Sequence, residues 1–576
     1  MIRYFVYTTH PHRHFISFEA WFPTCGKEKI KLQLPAWRPG RYELGNFAKN
    51  IRGWNAVDDL NNKLPFRKLT KDQWEVDAQG LEEICIRYQY YAAVLNAGSS
   101  YLDEEQLYIN PVNCFFYLPE HHDEPYEVRL DIPHYYKLAC ALPAGDRHHL
   151  TAKNFDELAD SPLIASEKLE HFTYKVSDKT FHIWVNGENA LDGNKLLFEF
   201  EAFTQMQMDV FGSIPCTEYH FLFQLIPNPV RHGVEHSAST VIALGPSADL
   251  VTEKLYNELL GISCHELFHT WNIKNIRPVE MMPYNFTREN YSRLGYVYEG
   301  VTTYYGDLLL LRSGVWSEMK WLEAFAAEVN MHFHNPGRFN HSVADSSFDT
   351  WLDGYVPGIP GRKVSIYTEG ALIAFICDIL ILRASGNECS LDNVMRLMYE
   401  CFGKKGGGYS EEDYQKLLEE VSGISFKGIF KNLVHEANTY FDALTDALQF
   451  IGLELDVVES QICSETFYGF TTDEKDGRVH ITTVDENSPA DIARLWVGDE
   501  ILSVCGVSVS KGLQNLLESN RHREVELLVY KKMKLSKRKI LATQMKYCRS
   551  YRIVARSKRS PEQELNWEKF SGRRMK

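Results

Sequence analysis

The sequence predicts a multidomain α+β protein. An N-terminal antiparallel β-sandwich comes first, then a mainly helical middle, then a small module of short strands. Three observations predict it. The chain has 576 residues, too many for one hydrophobic core. Residues 1–165 alternate apolar and polar positions or concentrate β-branched and aromatic side chains, whereas from about residue 248 the apolar spacing becomes helical. From about residue 453 short strand patterns return. The expected divisions are 1–165, 166–375, 376–452, 453–535 and 536–576.

In the first division the segments 15–22, 29–34, 83–91 and 126–132 read as strands, separated by turns rich in Pro, Gly, Asn and Asp. This domain is expected to carry no catalytic residue. The next division passes through a helix at 196–206 and a buried strand at 219–227. A helix over 248–274 follows, with acidic residues early and Lys274 and Arg277 late, as the helix dipole prefers.

That helix contains His265-Glu266-Leu267-Phe268-His269. Residues four apart share a helix face, so the two imidazoles can reach one metal ion. Glu266 points beside that ion, where a carboxylate can take a proton from a metal-activated water. Such a site needs a third protein ligand. Glu299 is the choice, lying among Tyr, Val, Thr and Leu on a helix predicted over 295–311, with Asp307 as the next choice. Cys264 is expected to pack rather than bind metal, because it is rotated about 100° from the ligand face.

The segments 265–278, 289–293 and 299–307 resemble the glycyl-aminopeptidase family of zinc metallopeptidases, peptidase family M sixty-one, whose members carry a PDZ domain. The resemblance implies a thermolysin-like catalytic domain with a helical bundle. It implies one zinc ion per chain on His265, His269 and Glu299, with Glu266 as catalytic base. Trp37-Arg38-Pro39-Gly40-Arg41-Tyr42 is similar to a motif of the family's N-terminal domain. Gly233-Val234-Glu235-His236 resembles the cleft strand of related aminopeptidases, which assigns Glu235 to the substrate amino terminus, with His236 and Gly233 beside it. Relatives show Gly-Gly-x-Glu-His here, and His232 replaces the first Gly, a change expected to narrow or reshape the cleft. Tyr367-Thr368-Glu369-Gly370 matches the family's Tyr-x-x-Gly helix. Tyr367 is then the candidate hydrogen-bond donor to the oxyanion, and Glu369 stands where relatives often have Lys.

Helical patterns continue through 316–329, 391–400, 410–418 and 429–434. Further on, Ser488-Pro489-Ala490 and Gly498-Asp499-Glu500-Ile501 look like a PDZ domain. Its carboxylate loop would be Tyr468, Gly469 and Phe470, and its expected ligand a peptide C-terminus. The last forty residues read as a basic, partly ordered extension. Between Lys531 and Lys576 sixteen Lys and Arg stand against three Glu, a local +13 on a body of −28. No nucleic-acid-binding motif accompanies it.

No apolar leader is seen, and the longest apolar run, 371–382, is too short for a bilayer and interrupted by Asp378. The twelve cysteines are scattered, and Cys85, Cys377 and Cys505 sit in apolar segments, which reads as buried thiols in a reducing, cytoplasmic setting. Together these features predict a cytoplasmic zinc aminopeptidase acting on peptides. Two rivals stand beside it: an endopeptidase with the same chemistry, and a PDZ peptide-binding scaffold whose metal is structural.

Overall fold

The structure is a computed structural model that describes residues 1–145, 148–356, 358–547 and 549–572. The chain divides into two compact units. One comprises residues 1–321, 336–450 and 561–576, and the other residues 322–335 and 451–560.

In the first unit, residues 1–166 form three sheets of seven, four and three strands. The expected sandwich is thus present, with one correction. Ile2–Tyr7 runs antiparallel to Phe15–Pro23 but parallel to Tyr126–Asp131. More than a hundred residues separate the parallel partners, enough chain for the crossover that such a pairing requires. Alternate residues Ile2, Tyr4 and Val6 face a core built with Phe18, Phe115 and Tyr126.

A five-stranded sheet follows, in the order Glu170–Val176, Lys179–Asn186, Glu218–Leu225, Ser239–Gly245 and Val230–Glu235. Its central strands are buried along nearly their whole length, as their continuous apolar runs require. The last strand is an edge, antiparallel to its neighbour, with Glu235 opposite Thr240. The helix expected at 196–206 is longer, Gly193–Phe211, because Asp192 caps its start and Gly212 its end.

The motif helix is Glu253–Phe268, capped by the Thr252 side chain. The helix carrying Glu299 opens as a π-helix, Tyr296–Val301, and continues as Thr302–Ser313. A further helix, Ile366–Ala384, is almost wholly buried. It runs straight through the division placed at 375/376, so no boundary falls there: its apolar residues pack on both sides of that point. Among the described residues no helix is long and apolar enough to cross a membrane.

The second unit holds a PDZ-like sheet in the order Phe470–Lys475, Arg478–Val484, Glu500–Val504, Val525–Lys531 and Lys534–Ile540, with the helix Leu513–Ser519 packed on its core. Tyr468 and Phe470 are fully buried, and Gly469 between them takes a left-handed backbone, φ 73°.

The final segment departs from the extension expected after residue 535. Arg549–Ala555 pairs with Leu453–Glu459, and Pro561–Ser571 is a helix whose Trp567 and Phe570 are fully buried in the first unit. Residues 573–576 and Cys548 lie outside the described residues. All the described cysteines are free. Cys85 and Cys377 are buried as expected, but Cys505 is exposed, because it sits in the tight turn between two strands at φ 50°.

Candidate active site

The motif helix delivers His265 and His269 from one face. Their Nε2 atoms lie 3.0 Å apart. His269 Nδ1 donates to the backbone oxygen of Asn272 at 2.7 Å, which fixes the tautomer and leaves Nε2 free as a ligand. Burial, then the neighbouring His269, holds the His265 pKa well below that of free imidazole, so its Nε2 also keeps a lone pair at neutral pH.

Glu299 completes the cluster. Its Oε2 is 3.3 Å from His269 Nε2 and 3.9 Å from His265 Nε2. Two elements of local structure aim it there. The π-turn inserts an extra residue into the helix and rotates the following side chains. Asn272, just past the motif helix, then ties the two helices together: its Nδ2 donates to Val297 O and Thr302 Oγ1, and its O accepts from Thr302 Oγ1. Two imidazoles and a carboxylate converging within 4.8 Å form a donor set suited to a tetrahedral metal with one open position. Asp307 is not part of the cluster.

The other oxygen of Glu299 is held from the N-terminal β-domain. Tyr42 Oη donates to Glu299 Oε1 at 2.5 Å, and its ring stacks on Tyr298. Burial, then the Glu299 carboxylate, raises the Tyr42 pKa well above that of a free phenol, so it stays a donor. That domain therefore reaches the site, through a residue that positions a metal ligand and not through a catalytic group. The stretch Trp37–Tyr42 was visible in the sequence, but nothing in its spacing tied Tyr42 to Glu299.

Glu266 lies one position from His265 and is 6% exposed. Among the described residues its Oε2 has no hydrogen-bond partner. Burial raises its pKa well above the usual carboxylate range, although the His269 ring opposes the shift. A Cβ on Gly233 of the edge strand would overlap Glu266 Oε1, so only glycine leaves room for that carboxylate. Glu235 is 5% exposed and also converges on the site, with a carboxylate oxygen within 4.8 Å of Glu266 and His269 ligand atoms. Among the described residues it makes no ion pair with Arg231, but two other cations, Arg38 and Lys274, lie near enough to feel its charge.

His236 turns to the other side of the strand. Its Nδ1 lies 3.0 Å from Asp160 Oδ1, which also receives Lys274 Nζ at 2.7 Å. His232 does not narrow the face of the strand that meets Glu266. It points away, with Nε2 3.4 Å from Arg38 Nη2, and burial and that guanidinium push its pKa down to about 3. Alternation along a strand explains this, since 232 and 236 share the face opposite Gly233 and Glu235.

Tyr367 sits one residue into its helix, with its ring centroid 6.4 Å from that of His265 and 37% of its surface open. Partial burial, then the Glu299 carboxylate, raises its pKa, so the phenol remains protonated. Glu369 faces Tyr440 within the helical layer and not the metal cluster. Cys264 packs against Gln207, whose Nε2 donates to its backbone oxygen at 2.8 Å.

The chain was compared with protein families, solved structures and curated proteins. Residues 3–167 match the Peptidase M61 N-terminal domain, residues 258–373 the M61 glycyl aminopeptidase family and residues 447–520 the PDZ domain. Among solved structures, an aminopeptidase N family protein from Idiomarina loihiensis superposes with a TM-score of 0.90 at 24% identity over 99% of each chain, so the whole fold is shared. An M1 zinc metallopeptidase from Deinococcus radiodurans, solved with a Tyr-Ser-Ala substrate, gives a TM-score of 0.48 at 15% identity, over 76% of this chain and 94% of that one. A search of curated proteins finds no match. The chain thus matches the N-terminal and catalytic domains of the M61 glycyl aminopeptidase family together with a PDZ domain, and it is a peptidase.

Proposed function

We infer that the protein is a zinc-dependent aminopeptidase. The observation that carries this reading is the pair of buried carboxylates beside the cluster, Glu266 and Glu235, each within 4.8 Å of a ligand atom of His269. One carboxylate suffices for a general base. A second, buried and converging on the same ligand atoms, suits a free α-ammonium group. An endopeptidase has no such cation to receive.

His265, His269 and Glu299 would hold the zinc, which when bound lowers the pKa of water and polarises a carbonyl. Glu266 Oε2 is the open acceptor for the proton of the attacking water, and the same carboxyl then passes that proton to the leaving amine. Tyr367, as a protonated phenol, donates to the developing oxyanion. Glu235 binds the substrate amino terminus and so sets how far the chain enters.

The test compares a free-amine peptide with its N-acetylated twin. Wild type should cleave only the first. Glu235→Ala should lower kcat/KM for free-amine substrates by roughly ten- to a hundredfold, the value of a charge-assisted bond at a desolvated site, while zinc content stays constant. Equal cleavage of both peptides by wild type would hand the site to the endopeptidase reading.

A further inference from the structure

The edge strand Val230–Glu235 packs on the motif helix and places three residues against it in order. Side chains alternate along a strand, so Arg231, Gly233 and Glu235 share one face. Gly233 shows which face that is, because a Cβ there would overlap the Glu266 carboxylate. At one end of the row Glu235 converges with Glu266 and His269. Gly233 lies over Glu266 in the middle. Arg231 stands at the other end, near enough for its charge to act on His265 and Glu266.

Arg231 differs from the other cations around the site. Arg38 is buried against His232, and Lys274 is paired with Asp160. Arg231 is exposed, and among the described residues it has no hydrogen-bond or ion-pair partner. Its neighbour across the ladder is Leu244, which offers no charge. Exposure alone makes such a cation inexpensive, so what distinguishes Arg231 is its place along the cleft. A substrate held by Glu235 at its amino terminus puts its scissile carbonyl at the His265, His269 and Glu299 cluster. Glu235 occupies one end of the row, so the leaving part of the chain runs along the free strand edge towards the other. Positions 231 and 235 are four apart, about 13 Å in an extended strand. A peptide advances about 3.3 Å per residue, and the long guanidinium arm spans the remainder. Arg231 therefore meets the first or second residue beyond the scissile bond.

We propose that Arg231 is a specificity residue on the leaving side of the scissile bond, where it binds a carboxylate carried by the first or second residue after the amino-terminal one. A guanidinium is suited to this, since its planar fork matches a carboxylate. The proposal rests on Glu235 as the amine site. Two sources supply such a carboxylate: the C-terminus of a di- or tripeptide, or an acidic side chain at either position of a longer peptide.

The experiment uses matched pairs on the zinc-loaded full chain, and every probe begins with glycine so that the first residue is constant. Di- and triglycine against their amides test the chain end. Gly-Asp-amide and Gly-Gly-Asp-amide against their Asn twins test the side chain. Initial release of glycine should favour the charged member about three- to tenfold in kcat/KM in at least one pair, as a charge-assisted bond at a partly solvated position allows. That preference should shrink at high salt. Arg231→Gln should bring the ratio towards one, and Arg231→Glu should invert it. Because Arg231 also acts on Glu266, absolute rates shift in these variants, and the ratio within a pair cancels that common effect. A wild-type ratio near one in every pair, or a ratio that both substitutions leave untouched, overturns the proposal. Should a variant fail to fold, the wild-type pairs and their salt dependence decide alone. Glu235→Ala should slow all these peptides yet keep the ratio. A failure at Arg231 is thus distinguishable from a failure of the amine site, which the acetylated peptides read.

Discussion

At the scale of single residues, the site divides its work between groups that touch the metal and groups that aim them. Tyr42 is the clearest of the second kind. Its phenol occupies the Glu299 oxygen that does not face the imidazoles, and so turns the other oxygen towards them. Partners of this kind change metal affinity by about ten- to a hundredfold when removed. Tyr42→Phe should therefore raise the zinc dissociation constant by that factor in a chelator competition, with the circular dichroism spectrum unchanged. Glu266→Gln makes the contrasting control: zinc stays at one per chain, while turnover falls about 10²- to 10⁴-fold, the usual contribution of a general base. If Tyr42→Phe holds zinc as tightly as wild type, the phenol is a packing residue and Glu299 is aimed by its helix alone.

At the scale of elements, the decisive contact is between the π-turn that carries Glu299 and the helix Ile366–Ala384 that carries Tyr367. A Cβ on Gly300 would run into the backbone of Gly370, and one on Gly370 would meet the backbone of Tyr296 and Gly300. Two glycines face each other, and the backbones touch where side chains would hold them apart. Gly370→Val should cost about 1–3 kcal/mol or more by overpacking, seen as a lower denaturation midpoint, and should weaken turnover by moving Tyr367 away from His265. Unchanged stability and kinetics would mean the two helices part easily. The same elements show what a sequence can carry. His265, Glu266 and His269 were legible because four-residue spacing on a helix is a local rule. Glu299 was legible because an acid among apolar neighbours needs a reason. The π-turn was not, since one inserted residue leaves no periodic trace. Tyr42 was not, because its partner lies over two hundred residues away and only folding joins them. The exposed Cys505 misled in the opposite direction, because apolar neighbours on a strand end say nothing about a turn.

At the scale of the whole molecule, the chain leaves the first unit a second time at residue 451 and comes back to it at residue 561. The returning helix Pro561–Ser571 was hidden in the sequence by the Lys and Arg around it, yet it is anchored by apolar rings. Trp567 and Phe570 are 0% exposed. Their rings meet Trp321, and Phe570 also meets Phe375 of the helix that carries Tyr367. Arg312 Nε donates to Phe570 O at 2.9 Å, and Asn387 Nδ2 to Asn566 Oδ1 at 2.7 Å. A basic tail that merely trailed in solvent would need none of these. Removing a fully buried Trp side chain typically costs about 3–5 kcal/mol. Trp567→Ala should therefore lower the thermal and denaturant midpoints of the first unit clearly, whereas Lys569→Ala on the same helix should stay within about 0.5 kcal/mol of wild type. The helix supports the layer behind the catalytic cluster, so below the melting range Trp567→Ala should keep zinc and most of its activity, and lose both at a lower temperature than wild type. Equal midpoints for Trp567→Ala and wild type would return this segment to the status of a loose basic end.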